Sequence, residues 1–481
     1  MDRAAIVVDL GFGDAGKGLV TDWLVRTLGA GLVARFHGGA QAGHNVVTPD
    51  GRHHTFAQLG AGTFVPGVQT YLGREVVIHP TALLLEAAHL ASVGVPDALA
   101  RLHVSEEALV ISPFQQAAGR LRELARGDAR HGSCGVGVGE TVGDALANPG
   151  EAIRAGALRG GPGRQRTGTR ATSTSMDDSH ALRRALLRLQ ERKREELRHE
   201  LAALRGSEAA AGERWILEDP GIVDRFLDAI APLRAEVSIV GTDWLQRALG
   251  APGAVVLEGA QGVLLDEWAG FHPHTTWSTC TFQRGLELLR EGSYGGAVSR
   301  IGVLRTYGVR HGQGPLPTED PTLSPLLPER HNIEGPWQGR VRRGWPDLLL
   351  ARYALEVCGG ADALAITHLD ALGRVPEWRG ATAYAAEGAP ESLFDRDSGD
   401  PGKIERIRPP TGHDLDRQAA LGAALSAATP VYEPLPWAGE RGCDDAMSFF
   451  EERLGVPVRI ASSGPTATDV RARGALFRDV V

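Results

Sequence analysis

Cysteine is scarce in this sequence. The 481 residues include four cysteines, which stand far apart at Cys134, Cys280, Cys358 and Cys443. No two of them have the close spacing of a zinc site or of a disulfide-stapled small domain. We therefore expect reduced thiols in a cytoplasmic protein, with neither a zinc site nor a disulfide framework.

Long hydrophobic runs and an excess of positive charge are also missing. The sequence has no stretch of about 18 apolar residues that suggests a membrane span. Its first residues lead directly into a strand pattern, without the charged and apolar regions of an export signal. The 51 basic and 59 acidic residues give a formal charge of −8, which argues against a general nucleic-acid footprint. We expect neither a membrane nor a nucleic acid as a partner.

Glycine, in contrast, is abundant. The 62 glycines are nearly twice the share of about 7% in ordinary proteins, and they show no collagen-like period, so they indicate loops lined by backbone. Short apolar runs predict buried strands, and they alternate with stretches of helical spacing. These runs cover residues 4–10, 31–36, 71–78, 253–257, 297–304 and 362–367. Such alternation predicts an α/β fold with a large, mostly parallel sheet and flanking helices.

The middle of the chain differs in character and divides the sequence into three predicted parts, residues 1–117, 118–245 and 246–481. The middle part is charged and has a helical leucine pattern, which predicts an inserted helical subdomain. The leucines are Leu182, Leu186, Leu189, Leu197, Leu201 and Leu204. The basic cluster 192–194 alternates with glutamates and is interpreted as a solvated helix face. Residues 380–412 are rich in Pro, Gly, Asp and Arg, which predicts a long surface connection.

The first chemical signal follows the first predicted strand. Residues 11–18 read Gly-Phe-Gly-Asp-Ala-Gly-Lys-Gly and fit the phosphate-loop pattern G-x-x-x-x-G-K between a strand and a helix. The alternative is a glycine turn that closes an ordinary βα unit. In a phosphate loop, backbone amides bind phosphate oxygens and Lys17 adds a full charge. Gly18 replaces the Ser or Thr that holds Mg²⁺ in ordinary loops, so Asp14 is the obvious carboxylate for a metal or for proton abstraction.

A second glycine-rich turn, residues 38–45, follows the next predicted strand and contains His44. A lone histidine in a turn is usually structural. Here the turn comes soon after a phosphate loop, where an imidazole suits stabilisation of developing phosphoryl charge. Both interpretations of His44, structural and catalytic, stay open on this pattern alone.

These two motifs resemble the N-terminal signature of the adenylosuccinate synthetase family, a strand followed by G-D-E-G-K-G and then by a G-G-x-N-A-G-H loop. Further matches follow in the family's order, at residues 256–262, 314–319, 339–347, 367–370, 430–433 and 463–465. The resemblance implies a ligase that forms a carbon–nitrogen bond in two steps. GTP phosphorylates O6 of inosine monophosphate (IMP), and the amine of aspartate then displaces the phosphate to give adenylosuccinate. Mg²⁺ as a cofactor and a homodimer with composite sites are implied as well.

The resemblance also implies roles for individual residues. The catalytic residues would be Asp14, which removes the N1 proton of the purine, His44 and Lys17. Asp370 would read guanine, since one carboxylate accepts from both N1–H and the exocyclic amine. The residues implied for GTP binding are Gly13, Gly16, Lys17, Gly18, Asp370, Ser463 and Gly464. Those implied for IMP are Asp14, Gln41, Ser133, Cys134, Gln261 and Thr276. Those implied for the amine donor are Gln338, Arg340 and Arg342, and those for the metal are Asp14 and Gly43.

Several positions depart from the family pattern. Trp337-Gln338 stands where the family carries two threonines, and residues 132–137 stand where it has a threonine pair. No arginine matches the one that a neighbouring subunit lends in the family; the candidates to replace it are Arg154, Arg159, Arg164 and Arg166. Three hypotheses stay open: an IMP- and aspartate-specific ligase, a related ligase that uses a modified purine nucleotide or another amine donor, and a nucleotide-binding regulator without catalysis.

Overall fold

A ten-stranded sheet organises the chain in the computed structural model, which describes residues 1–159, 174–329, 332, 337–437 and 442–477. The strands are β1 (Arg3–Asp9), β2 (Ala30–Arg35), β3 (Gly38–Gly39), β4 (His44–Val47), β5 (His53–Phe56), β6 (Gln69–Leu72), β7 (Val76–Ile78), β8 (Leu102–Ser105), β9 (Leu109–Val110), β10 (Ser238–Val240), β11 (Ala254–Gly262), β12 (Ala297–Arg305), β13 (Gly308–His311), β14 (Val341–Gly344), β15 (Ala363–Thr367), β16 (Arg379–Ala385), β17 (Phe394–Arg396), β18 (Lys403–Ile407), β19 (Thr429–Pro434), β20 (Val458–Ser462) and β21 (Val470–Ala472).

Helices cover both faces of this sheet and form the insertion. They are α1 (Lys17–Leu28), α2 (Pro80–Ser92), α3 (Pro113–Arg126), α4 (Val138–Ala147), α5 (Thr174–Glu196), α6 (Arg198–Ala203), α7 (Ala211–Glu218), α8 (Ile222–Ala229), α9 (Ala231–Glu236), α10 (Thr242–Gly250), α11 (Phe282–Glu291), α12 (Leu348–Val357), α13 (Leu415–Ala427) and α14 (Gly442–Leu454).

The order of strands in the large sheet is β10-β8-β6-β2-β11-β1-β12-β15-β20-β21. Its described pairs are parallel except for β20 with β21, which confirms the predicted α/β fold with a mostly parallel sheet. The chain runs outward from β1 through β2, β6, β8 and β10, and then returns to place β11 and β12 on either side of β1. The strand order therefore reverses at β1. In open α/β sheets, ligands bind at the carboxyl ends of the strands at such a point.

Strand β1 is buried along almost its whole length, with only Arg3 exposed. The strong apolar run that predicted it is therefore the run of a central strand, covered on both faces by helices. The predicted run 71–78 is divided differently from the expectation. It contains the last two residues of β6, in the large sheet, and the whole of β7, in a small parallel sheet with β3 and β9. A pattern of apolar residues does not show the turn between the two strands.

The helical insertion shares its core with the sheet. Leu182, Leu186, Leu189 and Leu197 are buried together with Leu90 of α2 and Val104 of β8, while Leu201 and Leu204 pack partly buried against the same cluster. The leucines therefore lie on the side of these helices that faces the core. Helix α3 already begins at Pro113, where Ser112 and Gln115 form a capping box, so the predicted boundary at 118 falls inside a helix.

The interpretation of residues 192–194 as a solvated face is wrong for Lys193. Its side chain is 2% exposed, and its ammonium lies 2.5 Å from Asp144, 2.8 Å from Glu196 and 3.2 Å from Glu140. A lysine in the last turn of α5 is buried here because three carboxylates surround it, which satisfies the rule that buried charges are paired. The neighbouring helix α4 supplies two of the three, and sequence spacing within α5 does not reveal them.

Residues 380–412 are not the predicted surface connection. They contain most of a four-stranded antiparallel sheet ordered β17-β18-β16-β19, whose apolar positions, such as Tyr384, Ile404 and Ile407, are buried. The turn residues between these short strands dominate the composition and hide the strands. These strands pair antiparallel, unlike most strands of the large sheet.

A buried carboxyl group joins this small sheet to the main body. Asp347 caps the N-terminus of α12 by accepting from Leu350 N at 3.1 Å, and the Tyr384 hydroxyl donates to its other oxygen at 2.6 Å. Burial raises the pKa of Asp347 to about 6, because the apolar surroundings disfavour the charged form. Asp347 therefore ionises at a higher pH than an exposed aspartate does.

A search of the described residues finds no helix long and apolar enough to cross a bilayer.

Candidate active site

The phosphate loop leaves the carboxyl end of β1 and ends at the start of α1. Gly13, Asp14 and Gly16 have positive φ angles of 95°, 60° and 91°. A residue with a side chain avoids this region, so Asp14 costs about 1 kcal/mol there. Arg305, at the end of β12, donates from Nη1 to the carbonyl oxygen of Asp14 at 3.0 Å. The loop therefore holds Asp14 in an uncommon conformation with the help of the neighbouring strand.

Close packing explains two glycines in this part of the structure. A Cβ at Gly18 would lie 2.8 Å from the carbonyl oxygen of Asn45 and 2.9 Å from the carbonyl carbon of His44. The Ser or Thr of an ordinary phosphate loop has no room at this position. A Cβ at Gly262, on β11, would overlap the carbonyl of Gly11 and the amide of Gly13, so this glycine lets the strand and the loop approach each other.

A buried carboxylate, which the sequence motif did not identify, shapes the loop. Asp9 is fully buried and accepts from the amides of Gly11, Gly13 and Ala15 at 2.8, 3.3 and 2.8 Å. The Lys17 ammonium, itself 2% exposed, lies 3.0 Å from Asp9 Oδ2. Asp9 thus fixes the amides on one side of the loop and the position of its lysine. The sequence feature that could have identified Asp9 is an acidic residue at the end of an otherwise apolar strand.

The Asp14 carboxylate points away from the loop toward β13. His311 Nε2 lies 2.9 Å from Asp14 Oδ2, and Asn332 Nδ2 donates to the same oxygen at 3.3 Å. Burial opposes ionisation, but His311, Lys17 and Arg305 outweigh it and hold the pKa of Asp14 below its ordinary value. Asp14 is therefore a carboxylate at neutral pH, as a proton acceptor or a metal ligand requires.

His44 is fixed by an acidic partner that the sequence reasoning did not assign. Its Nδ1 lies 2.5 Å from Glu258 Oε1, and its Nε2 lies 3.1 Å from the carbonyl oxygen of Ala260. Burial opposes ionisation of Glu258, but Arg35 and His44 outweigh it and lower its pKa. A carboxylate that accepts from one ring nitrogen orients the imidazole and leaves the other nitrogen at the substrate side.

One cavity of about 1120 Å³ brings most of the predicted site residues together. The predicted residues that border it are Gly13, Asp14, Gly16, Lys17, Gly18, Gln41, Gly43, His44, Ser133, Cys134, Gln261, Thr276, Gln338, Asp370 and Gly464. Ser463 does not border the cavity, although Ser462 and Gly464 do; the Ser463 amide donates to the carbonyl of Asp469 instead. Asp14 and His44 therefore border the same cavity.

Two glutamine side chains at the cavity present polar atoms without partners. Within the described part of the chain, Gln261 Oε1 and Nε2 and Gln41 Oε1 are buried and accept or donate no hydrogen bond. Buried polar atoms nearly always have partners. Because both side chains border the cavity, a polar ligand there would complete their hydrogen bonds.

The predicted amine-donor arginines border a second cavity of about 750 Å³, which shares His272, Pro273, His274 and Gln338 with the first. Arg342 Nη1 lies 2.8 Å from Glu319 Oε2, whereas the side chain of Arg340 is 71% exposed and lies 3.6 Å from the same carboxylate group. The adjoining positions of the two cavities allow a small ligand in the second to reach one in the first.

Trp337 packs between the segment that carries the predicted amine-donor residues and residues 132–137. Its indole packs against Gly135, where a Cβ would lie 2.8 Å from Trp337 Cγ, and the Arg120 guanidinium lies 5.5 Å from the ring centroid. Arg120 also donates to the carbonyl of Gly135 at 2.8 Å. The predicted donor segment is therefore in direct contact with residues 132–137, which include the predicted IMP residues Ser133 and Cys134.

The arginines suggested as replacements for a partner's arginine are engaged elsewhere or outside the described residues. Arg154 Nη1 donates to the carbonyl of Glu107 at 2.6 Å, and Arg159 pairs with Glu106 at 2.7 Å. Neither borders the cavity. Arg164 and Arg166 lie outside the residues that the structure describes. Arg122 and Arg126 of α3 border the cavity instead.

Asp370, the predicted guanine reader, lies at the rim of the cavity. Its carboxylate pairs with Arg374 at 3.0 Å, and the side chains are 37% and 47% exposed. Thr367, just before it, donates from Oγ1 to the carbonyl of Ala15 at 2.7 Å. This contact ties the end of β15 to the phosphate loop and sets the distance between the loop and Asp370.

A divalent metal ion at this site would need oxygen atoms from a bound phosphate and from water in addition to those of the protein. A search of the described residues finds no group of three His, Cys, Asp or Glu side chains that could hold a metal. Asp14 and the backbone of Gly43 both border the cavity beside the phosphate loop. One carboxylate and one carbonyl, completed by phosphate oxygens and water, is the kind of set that Mg²⁺ accepts in nucleotide sites. The residues present therefore suit a phosphate-bound Mg²⁺.

Comparison with solved structures supports the fold. The fully ligated adenylosuccinate synthetase of Plasmodium falciparum superimposes with a TM-score of 0.71 at 20% identity, covering 98% of this chain and 99% of that one. The succinoaminodeoxyadenylate synthetase of cyanophage S-2L, bound to dGMP and to dATP as an energy donor, gives a TM-score of 0.57 at 17% identity and covers 99% of this chain and 97% of that one. At these identities the likeness shows a common fold.

Sequence comparison shows the family. The adenylosuccinate synthetase of Salinibacter ruber is 31% identical over 476 residues, covering 97% of each chain. The protein named adenylosuccinate synthetase 2 in Chromobacterium violaceum is 30% identical over 480 residues, again covering 97% of each. Residues 6–471 match the sequence model of the family described as adenylosuccinate synthetase. The chain therefore belongs to the adenylosuccinate synthetase family, whose members are GTP-dependent ligases that form a carbon–nitrogen bond.

Proposed function

We propose that the chain converts IMP, aspartate and GTP into adenylosuccinate, GDP and phosphate through a 6-phosphoryl purine. The observation that carries the proposal is the convergence of Asp14, Lys17 and His44 on one cavity at the carboxyl end of the central strand. A purine carbonyl is a poor electrophile, so its oxygen must first become a leaving group. That step needs a base near N1, cations near the transferred phosphate and a site shielded from water.

Asp14 suits the role of the base. Its Oδ2 is engaged by His311 and Asn332, which leaves Oδ1 for the N1 proton of the purine. Removing that proton places negative charge on O6, which then attacks the γ-phosphorus of GTP. The lowered pKa of Asp14 keeps the carboxylate ready to accept.

Lys17 and the loop amides suit the phosphates of GTP. Since Asp9 already holds the amides of Gly11, Gly13 and Ala15, the amides at the start of α1 remain for phosphate, at the positive end of the helix dipole. Bound Mg²⁺, held by Asp14 and Gly43, would neutralise charge on the phosphates. Removing it with a chelator should stop turnover, and adding Mg²⁺ should restore it.

His44 suits stabilisation of the oxygen that accepts the phosphoryl group. Glu258 orients the ring through Nδ1. A ring that is protonated on both nitrogens can then donate from Nε2 to that oxygen once the contact with Ala260 is given up. Gln261 and Gln41 carry the unpartnered amide atoms that would bind the purine nucleotide. Asp370 would accept from guanine as the resemblance implies.

The amine donor would occupy the second cavity, with Arg340 and Arg342 binding its carboxylates. A second candidate function, a ligase with another amine donor or a modified purine nucleotide, is favoured by the indole of Trp337 against Gly135. This contact limits the space between donor and acceptor. A cytoplasmic homodimer with Mg²⁺ as its cofactor completes the proposal, and sedimentation of the purified chain tests the dimer.

The decisive experiment measures phosphate release and product formation by the purified chain. Complete mixtures contain GTP, Mg²⁺, IMP and aspartate, and parallel mixtures lack one substrate, replace aspartate with other amino acids, or replace IMP with GMP or dGMP. Turnover that requires IMP and aspartate supports the proposal, whereas turnover with only another pair supports the second candidate. Asp14→Asn should lower kcat by at least about a hundredfold. Asp243→Asn, at an exposed ion pair, should not. Full activity of Asp14→Asn, or binding without turnover by the parent chain, contradicts the mechanism.

A further inference from the structure

His311 contacts the proposed base from a separate part of the chain. It is the last residue of β13 and pairs in register with Val341 of β14. Its Nε2 lies 2.9 Å from Asp14 Oδ2, across 297 positions of sequence. Both side chains are partly buried, at 22% and 25% exposed, and both border the large cavity. The contact is therefore made at the reaction site.

The contact fixes the plane of the Asp14 carboxylate and leaves one of its oxygens facing the cavity. His311 and Asn332 both reach Oδ2, so turning the carboxylate out of this plane would break both hydrogen bonds. A hydrogen bond to a charged group is among the stronger ones in proteins. Because Arg305 also holds the Asp14 carbonyl, the main chain and the side chain of Asp14 are fixed independently.

The hydrogen bonds of His311 do not indicate a structural role for this side chain. Its second ring nitrogen, Nδ1, is buried and has no hydrogen-bond partner among the described residues. A histidine that serves only to join two strands commonly uses both nitrogens, since buried polar atoms are nearly always paired. In β13, the preceding Arg310 has that structural role, because it donates to the carbonyls of Gln313, Pro315 and His274.

We propose that His311 is a positioning residue for the first chemical step, which holds Asp14 Oδ2 so that Oδ1 meets the N1 proton of the purine. The inference rests on the proposed role of Asp14 as the base. The hydrogen bond from His311 Nε2 to Asp14 Oδ2 is needed whether or not Nδ1 is protonated. A neutral side chain that places an N–H donor at the same position can therefore replace the imidazole, whereas an apolar ring cannot.

The test compares three variants with the parent chain. His311→Phe keeps the ring volume and removes the donor, and His311→Gln places an amide nitrogen near the position of Nε2. His199→Phe, at an exposed position of α6 in the insertion, is the matched control for the substitution itself. Steady-state kcat and KM for IMP, aspartate and GTP, the Kd for GDP and the thermal midpoint are measured for each.

We expect His311→Phe to lower kcat by about tenfold to a hundredfold, with kcat/KM for IMP falling in parallel, because the lost interaction acts on the transition state. GDP affinity and the thermal midpoint should stay close to those of the parent chain. His311→Gln should recover kcat to within about fivefold of the parent, and His199→Phe should match it.

Three outcomes overturn the inference. The first is full kcat for His311→Phe, and the second is failure of His311→Gln to recover activity while it folds and binds GDP normally. The third is a change in KM or GDP affinity without a change in kcat, which would make His311 a binding residue. The proposed function fails separately, when the parent chain itself forms no product from IMP and aspartate.

Discussion

The buried carboxylate of Asp9, at the end of β1, gives the sharpest test of how the phosphate loop is shaped. Asp9→Asn keeps the size of the side chain and removes its charge. In the parent structure Oδ1 accepts from Gly11 and Gly13, and Oδ2 accepts from Ala15 and Lys17. Whichever oxygen the amide nitrogen replaces, two donors would face an NH₂ group. The Lys17 ammonium would also be left buried without its countercharge.

The magnitude of this loss follows from the buried pair. Removing one partner of a buried ion pair costs about 3–5 kcal/mol. The unfolding entropy of a chain of 481 residues is about 1 kcal/mol/K near the thermal midpoint. We therefore expect Asp9→Asn to lower the thermal midpoint by about 3–5 °C. We also expect weaker GDP binding, because the loop amides lose the acceptor that arranges them.

Scanning fluorimetry and calorimetric titration with GDP measure the two effects. The control is Asp243→Asn, whose pair with Arg247 is exposed and therefore contributes little to stability. An unchanged midpoint together with unchanged GDP affinity would refute the role of Asp9. An unchanged midpoint with tighter GDP binding would mean that Asp9 competes with phosphate for Lys17 instead of shaping the loop.

Two further predictions concern packing and protonation. Gly262→Ala should abolish GDP binding measured by the same titration, because the new methyl overlaps the main chain of the phosphate loop at Gly11 and Gly13; retained affinity would show that β11 can move aside. For Asp347, whose pKa in the folded protein is about 6, the folded state binds more protons than the unfolded state between pH ~4 and ~6, so its stabilising contribution is lost as pH rises through that window. Asp347→Asn cannot ionise, so its free energy of unfolding should rise by about 3 kcal/mol relative to that of the parent chain between pH 4 and pH 7. The thermal midpoints of variant and parent, measured at both pH values, test this. The same difference in midpoint at pH 4 and at pH 7 would contradict the raised pKa of Asp347.

The sequence identifies the parts of this site that depend on local pattern. The phosphate loop, the strand before it and the helix after it follow from residues 4–28 alone, because glycine spacing and apolar runs are local properties. The matches to the family's motifs then place residues such as Gln261 and Asp370 at the same cavity, where the structure finds them.

Contacts between distant segments are what the sequence does not reveal. His311 and Glu258 meet Asp14 and His44 only because β13 and β11 lie beside the two loops, and no spacing rule connects positions so far apart. Lys193 looked solvated because its partners Asp144 and Glu140 lie on another helix. The strands within 380–412 were missed because short antiparallel strands with long turns have a composition typical of loops.

Gly18 packs closely against the main chain of His44 and Asn45, so the two glycine-rich loops, residues 11–18 and 38–45, must move together. Neither can shift by the width of a methyl group without displacing the other. Insertions or deletions in one loop would need a matching change in the second, so the pair should vary together among functional relatives. For protein engineering, the practical consequence is that nucleotide preference is better altered at the rim around Asp370 than within either loop.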